Sequence, residues 1–400
     1  MPTLPNEPAK VGGGSAASAA APVHEIGDPK ELQPGVALCL SGGGYRAMVF
    51  HLGAVWRLNE AGLLKTLVRI SSVSGGSITA GLLGMNWKRL AFDGAGVARA
   101  FEDQMVGPIR DLAGRTIDES SVVAGVLWTR TVADRVADAY DKYLFHGATL
   151  QDLPSDNEGP RFVLNATNVQ TGALWRFMKP YMRDYLVGEV KNPVVPLARA
   201  VGASSAFPPV LSPADLKVDP SAYTPDQMGE LGREPFTSHV VLTDGGVYDN
   251  LGLETAWKRF DTILVSDAGA KIDAEEKPHR DWAQHVMRIL DIIDNQVRSL
   301  RKRQLIDAYK SGLRKGAYWG IRTNIDDYTR DKPGLSLPLP CPHPRTLELA
   351  AVPTRLARLD EAMQERLINW GYAVCDAALR AHYVAGLGAP GQFPYPARGV

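Results

Sequence analysis

The most constraining feature of the sequence is an apolar run, a glycine-rich turn and a helical pattern that follow one another twice near its start. Residues 36–40 form a short apolar run that ends at a triple glycine, after which apolar positions recur at three- and four-residue steps. Residues 67–70 form a second apolar run, which enters the Ser/Gly-rich segment 71–77 before another helix-compatible stretch. Strand, turn and helix in repeated succession are typical of parallel βαβ units. The sequence therefore predicts an α/β fold.

The composition supports one large folded unit. The chain has 400 residues, of which 45% are hydrophobic and 22% charged, so it can build a substantial core. Further strand-like runs predict a large sheet mixed with helices, and they lie at residues 161–168, 173–178, 239–243, 262–266 and 318–323. Residues 1–30, by contrast, are dominated by Gly, Ala, Ser and Pro without periodicity. We predict a mobile tail for this segment.

Charge, cysteine content and hydropathy exclude several classes of protein. Lysine plus arginine number 44, as do aspartate plus glutamate, so no overall field attracts nucleic acid and we expect no such partner. Cys39, Cys341 and Cys375 are too far apart and too few for a disulfide framework or a cysteine zinc site. No run reaches the roughly 20 apolar residues of a membrane-spanning helix. We therefore expect a cytoplasmic protein.

The triple glycine is the first candidate site. Gly42, Gly43 and Gly44 separate the first apolar run from the first helical pattern. Glycines at this position let backbone N–H groups converge, and the helix N-terminus adds positive potential, so the segment predicts an anion cradle. The anion can be a dinucleotide pyrophosphate, since Gly42, Gly44 and Ala47 fit a G-x-G-x-x-G/A spacing, or the oxyanion of acyl transfer. A purely structural turn is the third reading.

The second turn carries a candidate nucleophile. The segment from Ser72 to Gly76 approximates the G-x-S-x-G elbow, with Ser72 in place of the first glycine and Ser74 in the nucleophile position. Ser77, also beside glycine, is the rival nucleophile, and a Ser/Gly helix cap is the structural alternative. No acidic residue ends this second run, whereas a dinucleotide fold needs one to hold a ribose hydroxyl.

A candidate proton acceptor follows a late apolar run. Residues 240–243 lead into Asp244, which two glycines follow, so we expect its carboxylate at the C-terminal edge of the sheet. Gly245 and Gly246 would leave room beside it for Ser74. Taken alone, the segment is more typical of an Asp-Gly turn.

In combination these three blocks resemble the patatin-like phospholipases. The shared pattern is Gly-Gly-Gly-x-Arg after a first strand, Ser-Gly-Gly at a second elbow and Asp-Gly-Gly after a late strand. Supporting segments with the same resemblance lie at residues 165–172, 203–209 and 367–372. The resemblance covers residues 35–385 and departs at Ser72, where the family usually has glycine.

The resemblance implies a three-layer α/β/α patatin-like fold with a mainly parallel central sheet. It implies that Ser74 is the nucleophile, Asp244 the base, and Gly42, Gly43 and Gly44 the oxyanion-hole loop. Arg46 joins that loop as the basic residue that follows it. The catalytic domain would then span residues 31–385, with residues 386–400 as a C-terminal tail.

The implied activity is lipid acyl hydrolysis, in which a Ser/Asp dyad cleaves fatty acyl esters of phospholipids or other acyl lipids through an acyl-serine. We expect no cofactor, because no metal-ligand motif occurs in the sequence. No histidine stands at a glycine-flanked strand end, so we expect none to complete a triad, and His51 is expected to pack in the core. The alternatives are an inactive lipid- or nucleotide-binding module and a dinucleotide-dependent oxidoreductase.

A late helical pattern supplies a candidate lipid contact. One face is apolar from Trp282 to Leu300. Basic residues are concentrated toward the end of this pattern and beyond it, at 298, 301, 302, 303, 310, 314 and 315. These basic residues predict either a solvated helix face or a peripheral contact with anionic headgroups.

Overall fold

The computed structural model describes residues 32–117 and 131–400, so the predicted tail at residues 1–30 lies outside the described residues. In these ranges ten strands form one sheet. The strands are β1 Gln33–Leu40, β2 Leu67–Val73, β3 Arg161–Asn168, β4 Leu174–Phe177, β5 Tyr181–Asp184, β6 Gly188–Lys191, β7 Ala214–Lys217, β8 His239–Asp244, β9 Phe260–Asp267 and β10 Lys315–Gly320.

The sheet has a parallel half and an antiparallel half. Its order is β10-β9-β1-β2-β3-β4-β5-β6, and strands β10 to β3 in this order are parallel. Beyond β3 the strands run antiparallel, and β8 pairs with the end of β3 and with β7. The parallel centre confirms the predicted βαβ units, because β1 and β2 are each followed by a glycine turn and a helix.

Helices lie on both faces of the sheet. Within the described ranges the α-helices are α1 Gly44–Glu60, α2 Gly75–Asn86, α3 Gly107–Ala113, α4 Val132–Tyr140, α5 Leu197–Ser204, α6 Gly246–Asp249, α7 Glu254–Trp257, α8 Trp282–Lys310, α9 Asp326–Asp331, α10 His343–Ala350 and α11 Glu361–His382. Helices α1 and α11 pack side by side and α2 packs on α1. Together they cover the face opposite to α7.

Alternation along β1 shows why the fold has three layers. Leu38 and Leu40 point into the large core with α1, α2 and α11. Ala37 and Cys39 point to the other face, where they pack in a smaller cluster with residues 251–256 and Leu305 of α8. A central parallel strand that is apolar on both faces must be covered on both. The structure thus confirms the expected α/β/α layering.

Residues 386–400, predicted as a tail, pack against helix α11. Asn369 donates hydrogen bonds to the carbonyl oxygens of Tyr395 (2.8 Å) and Gly399 (2.7 Å), and Phe393 and Val400 are buried. Phe393 and Val400 belong to the main core cluster, so this segment contributes to the fold. We therefore propose that the catalytic domain includes it and does not end at residue 385.

Candidate active site

Ser74 sits on a strained turn between β2 and α2. Its backbone has φ 52° and ψ −121°, a left-handed conformation that a residue other than glycine adopts only where the surroundings enforce it. The two following glycines lie against the glycine loop: a Cβ on Gly75 would strike the carbonyl oxygen of Gly44, and one on Gly76 would lie 2.5 Å from that of Leu40. The predicted Ser-Gly-Gly elbow is therefore present, and its glycines are required by this close packing.

Hydrogen-bonded serine hydroxyls stabilise the elbow. The Ser74 N–H donates to Ser204 Oγ (3.0 Å), and that hydroxyl donates to the carbonyl of Asn165 (2.6 Å). Because Ser204 has used its only proton, Ser77 Oγ must donate to it (2.9 Å), and Ser77 in turn lies 3.0 Å from Ser72 Oγ. Ser77, the rival nucleophile, thus has a fully buried hydroxyl that is occupied with supporting the turn.

Removing the Ser204 hydroxyl should loosen the elbow. In Ser204→Ala the Ser74 N–H stays buried without an acceptor, which should cost about 1–3 kcal/mol in the free energy of unfolding. Its neighbour Ser205 is the matched control, since its buried hydroxyl donates only to Val201 within the same helix (2.8 Å). Chemical denaturation of both variants should show the larger loss for Ser204→Ala. Equal losses would contradict the support role of Ser204.

The register of the sheet brings Asp244 to Ser74. Val73, the last residue of β2, pairs with Asn165 on β3, and the next β3 residue, Ala166, pairs with Asp244 on β8. The carboxylate is therefore level with Ser74, and the Ser74 side chain is close enough to lower its pKa. Ser74 directly follows the last residue of β2, so Asp244 lies at the carboxyl edge of the parallel strands β1 and β2, as the sequence predicted, although β8 itself runs antiparallel to β3.

The environment of Asp244 makes its carboxylate basic. The side chain is buried, and this burial raises its pKa to about 7, although the hydrogen bond from the Gly246 N–H (2.6 Å) and the Ser74 side chain act in the opposite direction. The negative charge of Asp294 raises the pKa further. A carboxylate with its pKa near neutrality can accept a proton from a serine far more readily than one of ordinary pKa.

The glycine loop presents unpaired N–H groups beside Ser74. Gly43 and Gly44 have φ of 142° and 59°, and both are buried. Among the described residues, the N–H groups of Gly43, Gly44 and Gly75 have no hydrogen-bond partner. Buried donors are nearly always paired, so three unpaired N–H groups in the two turns that pack together at Ser74 indicate a place for a bound anion. Gly42 differs, because its N–H donates to the Asn250 carbonyl (3.1 Å).

Arg46 has a different position from the one that we expected for an oxyanion-hole member. Its buried guanidinium donates to the carbonyl oxygens of Ala268 (3.0 Å) and Ala350 (3.4 Å), to that of Val352, and to Thr354 Oγ1 (3.0 Å). These bonds fasten α1 to the loop after α10. That loop in turn accepts the Tyr45 N–H through Arg355 (3.0 Å). Arg46 therefore positions the glycine loop.

His51 supports the same loop from the core. A carbonyl can only accept, so His51 Nε2 donates to the carbonyl of Ser41 (2.9 Å), and Nδ1 accepts from Ser266 Oγ (2.8 Å). Burial lowers the pKa of His51 to about 4, so the ring is neutral at pH 7. Both nitrogens are occupied, and His51 is a core histidine as expected.

Two residues near the site had no predicted role. Ser204 lies in the segment 203–209 that resembles the family, but nothing in the sequence assigns its hydroxyl to the Ser74 N–H. Asn250 holds the Gly42 N–H, and a Cβ on Gly42 or on Gly246 would strike or crowd its Oδ1. The segment from Asp244 to Asn250, which includes α6, therefore forms one wall of the site.

The basic residues of helix α8 are mostly directed inward. Arg298 and Lys302 pair with buried Asp267 at 3.4 and 2.9 Å, and Arg301 pairs with Glu254 at 3.0 Å. Lys302 and Arg298 outweigh the effect of burial and hold the pKa of Asp267 well below its usual range. The predicted basic patch is thus not continuous, since its first members hold α8 onto the sheet.

The described residues contain no obvious metal site or membrane span. No three His, Cys, Asp or Glu side chains in ranges 32–117 and 131–400 are grouped to hold a metal ion. In the same ranges, each helix is too short or too polar to cross a bilayer.

A family model places the chain among known proteins. The model described as patatin-like phospholipase matches residues 38–257, which is more than half of the chain and includes the glycine loop, Ser74 and Asp244. The chain belongs to the patatin-like phospholipase family. Its fold class is that of the family, as the sequence predicted.

Two solved patatin-like structures share low identity with this one. Human GIVD cytosolic phospholipase A2 is 15% identical over 60% of this chain and 47% of its own, with a TM-score of 0.40. VipD from Legionella pneumophila is 16% identical over 88% of this chain and 67% of its own, with a TM-score of 0.34. The chain therefore matches about half the length of the human enzyme. Comparison with the curated proteins finds no match.

Proposed function

We propose that this patatin-like protein is a lipid acyl hydrolase that cleaves fatty acyl esters through an acyl-Ser74 intermediate. The observation that carries the proposal is the position of Ser74 level with a buried carboxylate of pKa about 7, Asp244, next to two turns that carry three unpaired backbone N–H groups. A nucleophile, its base and an anion cradle are the parts that acyl transfer needs. Membership of the patatin-like phospholipase family supports an acyl lipid as the substrate.

The reaction follows from these positions. Asp244 takes the proton of Ser74 while the serine oxygen attacks the ester carbonyl carbon, and the N–H groups of Gly43, Gly44 and Gly75 stabilise the resulting oxyanion. The bond from carbon to the alcohol oxygen then breaks, and Asp244 returns the proton to the departing alcohol. Asp244 next takes a proton from water, whose oxygen attacks the acyl-serine. Ser74 leaves with a proton, and the fatty acid is released.

The two alternative functions fit the site less well. An inactive lipid- or nucleotide-binding module would need no serine level with a buried carboxylate. A dinucleotide-dependent oxidoreductase needs a carboxylate at the end of the second strand. Strand β2 ends at Val73, and the next residue is Ser74. The expectations of no cofactor and of a cytoplasmic protein in peripheral contact with lipid stay part of the proposal.

Product analysis tests the proposed activity. The purified chain, incubated with a mixed lipid extract in EDTA-containing buffer, should release fatty acids and lysolipids detectable by mass spectrometry. Ser74→Ala should reduce release by at least about 10³-fold, whereas Ser205→Ala should retain it. Wild-type release by a folded Ser74→Ala variant, or no released fatty acid from the wild-type chain, would overturn the proposal.

A further inference from the structure

Helix α8 carries its apolar face outward. Its exposed apolar side chains, called here the outer stripe, are Trp282, Val286, Ile289, Ile293 and Leu300. Their steps of three, four and seven residues place them on one side of the 29-residue helix. Trp282 is 82% exposed and Ile293 is 53% exposed. Leu290 and Ile292, also exposed, widen the stripe.

The opposite side of α8 is the charged one. Arg298 and Lys302 lie about half a turn away from the stripe, and Arg301 lies about a quarter of a turn away. All three make the ion pairs with Asp267 and Glu254 described above. A helix of a water-soluble domain normally shows the reverse arrangement, with apolar groups inward and charges outward. This inversion indicates that the stripe is meant for an apolar environment that the described residues do not supply.

Helix α8 passes beside the active-site region. Helix α6, which begins two residues after Asp244, packs against α8, and Arg301 of α8 lies over the ring of Tyr248 at 5.8 Å. Asp294, which is on α8 between stripe residues, is close enough for its charge to act on Asp244. The helix thus extends from the wall of the site out into solvent.

Other exposed apolar groups flank the proposed base. Val247 follows Asp244 by three residues and is half exposed, as are Phe207 and Val210. Phe207 directly follows Ala206, whose carbonyl accepts the Asp244 N–H (3.0 Å). Apolar exposure from two separate segments next to a single carboxylate favours one apolar surface at the site over scattered surface residues.

The chemistry of the stripe selects its occupant. Its members are one tryptophan and branched aliphatic residues without a formal charge, which suits the acyl and interfacial zone of a lipid aggregate and offers nothing to a charged headgroup. The proximity of α8 to the proposed site for acyl lipids points the same way. This step rests on the proposed function.

We propose that the outer stripe of helix α8 docks the protein onto the lipid–water interface and so presents the Ser74 site to acyl chains. Docking is apolar, so it requires neither anionic lipid nor low salt. Two isoleucines removed from contact with lipid lower the binding constant by about 10- to 100-fold.

Vesicle co-sedimentation tests this surface independently of catalysis. The full chain carrying Ser74→Ala is mixed with phosphatidylcholine vesicles, alone and combined with Ile289→Ser/Ile293→Ser. The matched control is Val194→Ser/Leu337→Ser, which replaces two exposed apolar residues that belong to other segments. We expect the Ser74→Ala chain to bind equally well between about 0.1 and 1 M NaCl. Its binding constant should fall 10- to 100-fold in the stripe variant and stay unchanged in the control. With Ser74 restored, the stripe variant should keep its activity on a soluble short-chain ester and lose activity on vesicles.

Three results would overturn the docking surface. They are equal binding by the stripe variant and the wild-type chain, binding that needs anionic lipid and disappears at high salt, and a lipid-free dimer that the stripe substitutions dissociate. If the protein hydrolyses no ester but still binds vesicles through the stripe, the proposed function is refuted and the docking surface is supported.

Discussion

Replacing Asp244 by asparagine is expected to reduce ester hydrolysis by on the order of 10³- to 10⁴-fold and to stabilise the protein at the same time. The loss follows because the amide cannot accept the Ser74 proton. The gain follows because the buried carboxylate has a pKa of about 7, well above its ordinary 3.8. Each pKa unit corresponds to about 1.4 kcal/mol, so the ionised side chain costs the folded state roughly 4 kcal/mol above pH 7.

The raised pKa of Asp244 determines how its contribution to stability changes with pH. Between pH 3.8 and about 7 the folded state holds a proton on Asp244 that the unfolded chain has lost, so this group's contribution to stability falls as pH rises. The advantage of Asp244→Asn should therefore be largest above pH 7 and shrink toward pH 4. For the wild-type chain, kcat/KM should rise about tenfold per pH unit below 7 and level off above it.

Asp267→Asn is the control, because it should change the stability of the fold in the opposite direction. Its carboxylate is also buried, but Lys302 and Arg298 hold its pKa down. Removing that charge leaves two cations without their partner and should lower the melting temperature at neutral pH. Thermal unfolding of both variants at about pH 5 and pH 8 measures the contrast. An Asp244→Asn variant with wild-type turnover, or one less stable than wild type at the higher pH, would refute the assigned base.

Replacing Gly44 by alanine should reduce kcat by about 10²- to 10³-fold. Gly44 has φ 59°, and a Cβ there would lie 2.6 Å from the carbonyl oxygen and 2.9 Å from the nitrogen of Arg355. Backbone atoms cannot rotate away, so the loop itself must shift. Its N–H groups then no longer converge beside Ser74, and the oxyanion loses donors.

Gly172→Ala separates this displacement from simple backbone strain. Gly172 has φ 71°, close to that of Gly44, but no described atom lies within 4 Å of the added Cβ. Both variants bear a left-handed alanine, which costs about 1–2 kcal/mol. Steady-state kinetics on a soluble ester should show near wild-type kcat for Gly172→Ala. Similar kcat losses in both variants, or no loss in either, would contradict an oxyanion role for this loop.

The local features of the site could be predicted from the sequence. The glycine loop and the Ser74 elbow each lie between a strand and its own helix, so their positions follow from residues near them in the chain. Asp244 was identified by its two glycines and by resemblance. Its meeting with Ser74 depends on pairing with β3, a contact between distant segments that apolar patterns do not encode.

The rest of the site depends on packing that the pattern of residues leaves open. Ser204 is one of many small residues, and only the approach of α5 to the elbow gives its hydroxyl a role. For helix α8 the sequence shows apolar residues at helical spacing, but this spacing does not determine which face of the helix packs inward. The general rule favours the apolar face, and here the ion pairs of Arg298 and Lys302 with Asp267 turn the charged face inward instead.

The most direct test of the account is covalent capture of the nucleophile. A fluorophosphonate reacts with an activated serine and stays attached, so peptide mass spectrometry locates the modified residue. The account predicts modification at Ser74, retained in Ser77→Ala, and lost in Ser74→Ala and in Asp244→Asn. Modification at Ser77, or a Ser74 that stays unmodified in the folded wild-type chain, would contradict it.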